Sequence, residues 1–255
     1  NVKFIGDPQK RIEEDYLRII RFIRFKIMYY NKIEPTTNDA IKQNLDGIKK
    51  ISKERILIEL YKILDLKNFV NLSESVYLKE IFTLVSPELD NLKRLNRLKK
   101  ICNHSQTNKE LLLAVLLIDE KNNHEYFGHK YNVSNNIKDN ISLLAKNFRL
   151  LRKNKEFFNR DLEKNIYLNS KNHLINLNIL NFVIDTKYKL KDFSENLKRI
   201  LKSKIYKFNI DGKYLIDNGM QQGAAMGKAL KKIEAEWIRN NFKITKNQVQ
   251  EIIRL

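Results

Sequence analysis

One acidic and three basic side chains follow one another at intervals of three residues near the start of the chain. They are Asp15, Arg18, Arg21 and Arg24. On a helix, residues three apart are neighbours, and successive members of such a row shift around the axis by about 60°. A carboxylate beside a guanidinium places acceptors next to a planar fork of donors, which can read the Watson–Crick edge of a base while further arginines hold phosphates. The same spacing also gives ordinary salt bridges on a solvated face, and geometry alone favours that simpler interpretation.

The overall charge points to a polyanionic partner. The sequence holds 49 Lys and Arg against 30 Asp and Glu, a formal net charge of +19, and such an excess indicates nucleic acid first. A coding bias toward Lys, Asn and Ile would produce part of the excess without any function. Because that bias accounts for arginine less easily, the regularly spaced arginines are a stronger indication than the lysines.

The elements that position these side chains are predicted to be helices. Only 7 Gly and 3 Pro interrupt the 255 residues, apolar residues recur at helical spacing, and no strand pair with turn chemistry is visible. One long helix is predicted over residues 11–30, with Asp7 as its N-cap and Pro8 at the first helical position. Its buried stripe is expected to be Ile12, Ile19, Ile20, Ile23 and Ile27. We therefore predict an all-α fold.

Helices are predicted along most of the remaining chain. Ser52 is expected to cap a helix over residues 53–64 that buries Ile56, Leu57, Leu60 and Ile63, and residues 122–134 are expected to be irregular. The other predicted helices cover residues 37–49, 73–85, 89–102, 109–118, 135–150, 155–168, 171–186, 190–203 and 245–254. A glycine-punctuated stretch over 211–227 runs into a further helix. Weak polar stretches near 65–72 and 187–192 are the best domain boundaries.

Three blocks of the sequence resemble those of class II nucleotidyltransferases, the family of CCA-adding enzymes and poly(A) polymerases. Residues 14–25 resemble the EDxxRxxRxxRF motif that opens the family's neck, and residues 4–7 with Arg11 and Ile12 are similar to its lead-in. Residues 51–56, followed by Glu59, Leu60, Ile63 and Leu64, resemble the second neck signature at the usual separation. The C-terminal glycine-rich segment of the family is matched by Gly212, Leu215, Gly219, Gly223, Gly227, Leu230 and Trp237.

The resemblance implies an elongated, curved all-α assembly with a neck over residues 1–64, a body over 65–190 and a tail over 191–255. It implies that Asp15 and Arg18 bind the base of an incoming ATP or CTP. Arg21 and Arg24 would contact the nucleotide's phosphates or acidic neighbours. The supporting residues would be Glu14, which orients the pair, Arg11 in the lead-in, and Arg55, which braces the neck helices or, as the lesser alternative, contacts RNA.

The family's chemistry is two-metal nucleotidyl transfer, which needs magnesium bound by an Asp-x-Asp pair in a catalytic head. Neither an Asp-x-Asp nor a Gly-Gly pair occurs in this sequence. We therefore expect the chain alone to bind tRNA or another RNA 3′ end without catalysing, and to need a head in cis or in trans. CCA addition to tRNA is the leading interpretation. Poly(A) polymerase shares these motifs, and a non-catalytic RNA-binding module from a split gene is the alternative from another class.

The glycine-rich stretch has two interpretations. Gly223 and Gly227 could permit close helix packing, or they could open a helix N-terminus that binds an RNA phosphate with Lys228. Both interpretations can hold together.

A metal site in this chain is not expected. His124 and His129 are five residues apart, where a zinc helix requires four, and Gly128 is expected to interrupt that helix. Asp119 lacks the preceding histidine of a His-Asp metal dyad, and Cys102 with His104 is too small a set for structural zinc. The single cysteine fits a reducing cytoplasm. No apolar run approaches the roughly 20 residues of a membrane span.

Overall fold

In a computed structural model, described for residues 3–29, 35–101 and 107–254, the regular structure is helical and these ranges contain no strand. The all-α prediction is confirmed. The α-helices are α1 (Pro8–Glu14), α2 (Leu17–Tyr29), α3 (Pro35–Gln43), α4 (Lys53–Leu64), α5 (Val76–Val85), α6 (Leu95–Leu98), α7 (Lys109–Leu117), α8 (Asn123–Lys130), α9 (Asn135–Lys153), α10 (Leu162–Asn169), α11 (Lys171–Ile184), α12 (Leu190–Lys202), α13 (Gly212–Asp217), α14 (Ala225–Arg239) and α15 (Lys246–Arg254). Short 3₁₀ helices cover Leu45–Lys50, Lys67–Glu74, Pro87–Leu89 and Leu92–Arg94.

The chain divides into two compact units. The first comprises Asn1–Lys153 and Asn176–Ser194, and the second comprises Asn154–Ile175 and Glu195–Leu255. The predicted boundary between residues 64 and 65 lies inside the first unit, whereas the predicted boundary between 190 and 191 lies close to the change of unit after Ser194. The assignment of neck, body and tail as functional parts stays a prediction.

The single long helix predicted over residues 11–30 is wrong, because α1 ends at Glu14 and α2 begins at Leu17. Asp15 between them is extended, with φ −155° and ψ 102°. Its carboxylate accepts the N–H of Leu17 at 3.1 Å, as an N-cap residue does for an otherwise unsatisfied donor. Asp7 caps α1 as predicted, accepting the N–H of Gln9 at 2.9 Å. Tyr30 lies outside the described residues.

The core of the first unit is built from the predicted apolar stripes. All five isoleucines of the predicted stripe are buried, namely Ile12, Ile19, Ile20, Ile23 and Ile27. Helix α4 is capped by Ser52 and buries Ile56, Leu57, Leu60 and Ile63, both as predicted. Helices α2 and α4 pack against each other, and α7 is buried around its whole circumference. This pairing of α2 with α4 brings the two regions that resemble the family's neck signatures together.

Residues 122–134 are helical in part, contrary to the sequence prediction. Helix α8 runs through Gly128, where a Cβ atom would lie 3.1 Å from the side chain of Lys138. Phe127 is buried, so packing of α8 on α9 outweighs the weak helix propensity of this polar segment. Helices also begin later than predicted near residues 73 and 155, where α5 starts at Val76 and α10 at Leu162.

The second unit has its own small core. Its buried residues are Leu215, Ala229, Ile233 and Val249. A separate aromatic cluster surrounds Trp237, with Tyr206 stacked on Phe242 at a centroid distance of 3.8 Å. These contacts fix α14, which carries the end of the glycine-rich segment. In neither unit does a described helix combine the length and apolar character needed to cross a bilayer.

Candidate functional site

The Asp15 carboxylate lies at the junction between α1 and α2 and is held by arginines from two helices. Arg55 on α4 places Nη2 3.3 Å from both carboxylate oxygens. Arg21 on α2 places Nη1 3.9 Å from Oδ2. The contact of Arg55 ties α4 to the junction, and its role as a brace of the neck helices stays a prediction. Because the helix breaks at Asp15, the Asp15 side chain approaches α4. The spacing predicted that Asp15 would lie beside Arg18 on one helix face, and this arrangement is not observed.

Arg18 pairs with Glu14 instead. The Arg18 Nη1 lies 2.5 Å from Glu14 and 2.6 Å from the backbone carbonyl of Arg11. The Arg11 guanidinium binds the same carboxylate at 3.0 Å and donates to the carbonyl of Ile5 at 3.1 Å. Hydrogen bonds from Arg18 first and Arg11 second hold the pKa of Glu14 below its usual value. Glu14 is therefore ionised at neutral pH and fixes two guanidinium groups on one side of the junction.

Glu59 is a buried anchor for Arg21 and Arg24. In the sequence it was noted only as part of the second neck signature. Its side chain on α4 is 3% exposed. One oxygen lies 2.9 Å from Lys62 Nζ and 3.6 Å from Arg21 Nε, and the other lies 3.3 Å from Arg24 Nε. A nearly buried carboxylate is tolerated because three cations surround it. We call Arg55, Asp15, Arg21, Glu59, Arg24 and Lys62 the ion-pair network.

The signal for Glu59 was present in the sequence. Glu59 lies three residues after Ile56 and four before Ile63, on the stripe predicted to be buried. A charge on that stripe needs partners from another helix. Arg24 supplies one of these partners and is itself only 19% exposed. Of the two contacts predicted for Arg24, a nucleotide phosphate or an acidic neighbour, the structure contains the acidic neighbour.

A cleft of about 380 Å³ opens beside the arginine row. Its lining combines aromatic and aliphatic surface with basic side chains, from Lys3, Phe4, Ile5, Arg11, Arg18, Arg21, Phe22 and Phe25. Phe4 stacks on Phe22 with ring centroids 5.4 Å apart. Apolar walls with a few convergent charged groups suit a planar aromatic ligand that carries anionic groups.

Residues 219–227 of the glycine-rich stretch, which we call the glycine segment, lie in the second unit. Gly223 and Gly227 are exposed, and a Cβ atom added to either would meet no atom within 4 Å. Close helix packing through these glycines, one of the two sequence interpretations, is therefore not observed in the described chain. Lys228 follows on the first turn of α14 and is also exposed. The segment presents open backbone and a cation at the N-terminal end of a helix.

The described residues offer no cluster of three or more His, Cys, Asp or Glu side chains arranged to hold a metal ion. His124 is buried, its Nδ1 accepts no hydrogen bond from a described residue, and burial lowers its pKa. The carboxylate of Asp119 accepts backbone N–H groups of Lys121 and Asn123, a turn role. Cys102 and His104 lie outside the described residues.

Comparison with known proteins identifies relatives over most of the chain. Residues 32–92 match the family model described as the probable RNA and SrmB-binding site of polymerase A. The CCA-adding enzyme of Lactobacillus helveticus is 26% identical over 235 residues, covering 91% of this chain and 57% of that protein. The human mitochondrial CCA tRNA nucleotidyltransferase 1 is 47% identical over 73 residues, covering 28% of this chain and 17% of that protein.

Solved structures show the same fold. The Bacillus stearothermophilus CCA-adding enzyme in complex with CTP superposes with a TM-score of 0.68 at 19% identity, over 99% of this chain and 64% of that one. The Thermotoga maritima CCA-adding enzyme complexed with tRNA_CCA superposes with a TM-score of 0.60 at 21% identity, over 96% of this chain and 62% of that one. The chain thus spans less than two thirds of each of these proteins.

Proposed function

We propose a function from the premise that this chain belongs to the family of CCA-adding enzymes and poly(A) polymerases. The chain is the part of a template-independent nucleotidyltransferase that holds a tRNA 3′ end and selects CTP or ATP for CCA addition. The observation that carries this proposal is the cleft with apolar walls that Arg11, Arg18 and Arg21 line, of which Arg21 also contacts the Asp15 carboxylate.

Asp15 and Arg18 select the base in this proposal. ATP and CTP each present an amino donor beside a ring-nitrogen acceptor, whereas UTP and GTP present a carbonyl beside an N–H. An ionised Asp only accepts and an Arg only donates, so the pair complements the first edge and opposes the second. Selection requires Arg18 to turn part of its guanidinium from Glu14 to the base, and the five N–H donors of arginine permit that sharing.

The remaining arginines divide into two roles. Arg11 and Arg21 line the cleft and are placed to meet the nucleotide's phosphates. Arg24 is largely buried on Glu59, so it fixes the row and does not contact a phosphate. Arg55 serves the same positioning purpose from α4 through Asp15.

The glycine segment, residues 219–227, is proposed to bind the RNA backbone. The exposed Gly223 and Gly227 let a phosphate approach the first N–H groups of α14, and Lys228 adds a positive charge. Binding of tRNA through phosphates predicts that log K falls by about 0.7–0.9 per phosphate contact for each decade of salt.

Catalysis is proposed to need a head domain in cis or in trans. The described carboxylates of this chain do not fit magnesium, since those of the site are each engaged by arginine or lysine and no metal-binding cluster occurs among the described residues. Magnesium and the transfer step are therefore assigned to the head. Poly(A) polymerase is the second candidate, favoured by the match of residues 32–92 to a polymerase A region.

The test is nucleotide incorporation onto a tRNA that lacks its CCA end. The chain alone, with magnesium and labelled CTP or ATP, is expected to incorporate nothing. With a head domain supplied, it is expected to add CTP and ATP, to reject UTP and GTP, and to stop after CCA. Continued addition of ATP alone would support poly(A) polymerase. Tight tRNA binding with no transfer under any head supply would identify a non-catalytic module.

A further inference from the structure

Gly47 supports an aromatic ring with its bare backbone. It lies buried in the 3₁₀ helix Leu45–Lys50, and a Cβ atom at this position would overlap Cγ, Cδ1 and Cε1 of the Tyr16 ring. At Gly128 and Gly212 an added Cβ would meet only flexible side chains, those of Lys138 and Met226. Gly47 differs because its neighbour is a rigid ring, so every other residue type there must displace Tyr16.

Tyr16 occupies the junction that places Asp15. It is the residue between the extended Asp15 and the first residue of α2, Leu17. A side chain has few torsions between its ring and its backbone, so a fixed ring fixes the adjoining peptide units. The ammonium group of Lys50 lies 5.5 Å from the Tyr16 ring centroid and adds a cation–π contact from the same 3₁₀ helix.

The 3₁₀ helix that carries Gly47 is itself held at both ends. Before it, the Asn44 side-chain amide donates to Gln9 on α1 and to the carbonyl of Ala40 on α3, both at 2.8 Å. After it, the chain passes through Ser52 into α4, where Arg55 binds the Asp15 carboxylate. The segment over residues 44–55 therefore affects Asp15 in two ways. Arg55 binds the Asp15 carboxylate, and Gly47 packs against the ring of the next residue, Tyr16.

From this arrangement we propose that Gly47 is a positioning residue for nucleotide selection, an inference that rests on the function proposed above. The Tyr16 ring seated on Gly47 sets the break between α1 and α2, and the break sets where the Asp15 carboxylate stands relative to Arg55 and Arg21. Displacement of a site group by about 1 Å lowers rates on the order of 100-fold. Adding one methyl group at residue 47 is therefore expected to weaken selection although it touches no nucleotide.

A double-mutant cycle tests the proposal. Gly47→Ala, Tyr16→Ala and the double variant are prepared in the protein supplied with its catalytic head, and kcat/KM is measured for CTP and UTP incorporation. Gly47→Ala is expected to lower the CTP-to-UTP ratio at least about tenfold. In the Tyr16→Ala background the same substitution should change the ratio less than about twofold, since no ring remains to be displaced.

Controls separate selection from folding. Gly128→Ala, which meets only the methylenes of Lys138, should leave the ratio unchanged, and all variants should keep tRNA affinity within about twofold of wild type. Should Gly47→Ala fail to fold, Tyr16→Leu, which keeps apolar volume without the ring, must lower the ratio instead. An equal loss with and without the Tyr16 ring, or no loss at all, overturns the inference alone. A wild-type enzyme without preference for CTP over UTP overturns the proposed function and the inference together.

Discussion

The ion-pair network, through Asp15 and Arg21, and the glycine segment are both proposed to contact nucleotide or RNA, yet they are built in opposite ways. The network pairs its two carboxylates within the chain, with Asp15 and Glu59 each contacting more than one cation. The glycine segment leaves its small residues facing open space. The first arrangement fixes side chains before a ligand arrives, and the second leaves room for an incoming backbone.

This difference separates two ways in which a residue can matter for function. Removing a member of the network is expected to change stability and selectivity together, because its neighbours lose their partners. Adding a side chain at Gly223 or Gly227 is expected to change binding without harming the fold, because the added Cβ atom would meet no atom within 4 Å in the described chain. Substitutions in the network are therefore expected to change stability, and substitutions in the glycine segment are expected to change RNA affinity.

The largest effect on stability is expected at Glu59. Glu59→Gln leaves Arg21, Arg24 and Lys62 facing each other without their shared carboxylate, and removing one partner of a buried ion pair costs about 3 kcal/mol in free energy of unfolding. Glu54→Gln on the same helix, where the side chain is exposed and accepts one hydrogen bond from Asn132, is the matched control and should lower the denaturation midpoint much less. Adding Arg24→Met to Glu59→Gln should recover part of the loss. Equal midpoints for both single variants would show that the network does not stabilise the fold.

The next largest effect is expected on nucleotide choice at Asp15. Asp15→Asn keeps an N-cap residue for α2 and loses only the half-exposed ion pairs with Arg55 and Arg21, so the free energy of unfolding should fall by no more than about 1 kcal/mol. It replaces one acceptor by a donor, which opposes the amino group of CTP and ATP and costs about 1–3 kcal/mol per mismatched group. We expect kcat/KM for CTP and ATP to fall about 100-fold in the head-supplied enzyme. Full retention of the preference for CTP and ATP would place base reading elsewhere.

The apolar framework of the site was predictable from sequence, because burial follows the helical period. The buried stripes of α2 and α4 follow from the three- and four-residue spacing of their apolar residues, and Ser52 and Asp7 are residue types that cap helices. The break at Asp15 was missed because Ile12 and Ile19 are seven residues apart, two helical turns, so the apolar period continues across the break. An Asp inside such a pattern caps a new helix only where tertiary contacts allow the break, and the contact of Tyr16 with Gly47 at this break joins residues distant in sequence.

The anchoring of the arginine row was missed for a related reason. Spacing along one helix describes neighbours on that helix only, whereas Glu59 reaches Arg21 and Arg24 from α4. The open space around Gly223 was equally beyond the sequence, since composition cannot tell a glycine that a neighbour packs against from one that faces solvent. The packing of α2 on α4 brings Glu59 to Arg21 and Arg24, a contact between helices that the spacing along either helix does not predict.

A smaller effect is expected in the salt dependence of tRNA binding. Lys228→Ala should reduce the slope of log K against log salt by about 1, because one phosphate contact and its released counterion are lost. Lys62→Ala is the control from the other region. Its ammonium lies 2.9 Å from Glu59, so this lysine is already paired within the chain and the slope should not change. Equal slopes for Lys228→Ala and wild type would remove Lys228 from the RNA contacts.

The smallest expected energy, and the sharpest dissociation, belongs to Gly227. This residue lies in the first turns of α14, and neither a positive φ nor a close neighbour requires glycine there. Gly227→Ala should therefore raise the free energy of unfolding by about 0.5–1 kcal/mol through helix propensity. If an RNA backbone lies against this surface, the added methyl group should at the same time weaken tRNA binding several-fold.

Ala235→Gly is the control substitution on the same helix. Ala235 is exposed in the interior of α14, away from its N-terminal end, so the substitution should lower stability by about 1 kcal/mol and leave tRNA affinity unchanged. Thermal stability should change in opposite directions in the two variants, whereas labelled-tRNA titration should show a loss of affinity for Gly227→Ala alone. A Gly227→Ala protein that is more stable and binds tRNA as tightly as wild type would mean that no partner approaches the glycine segment. Loss of both stability and binding would instead reveal a packing role for Gly227, because only a neighbour within the protein could turn the helix-propensity gain into a loss.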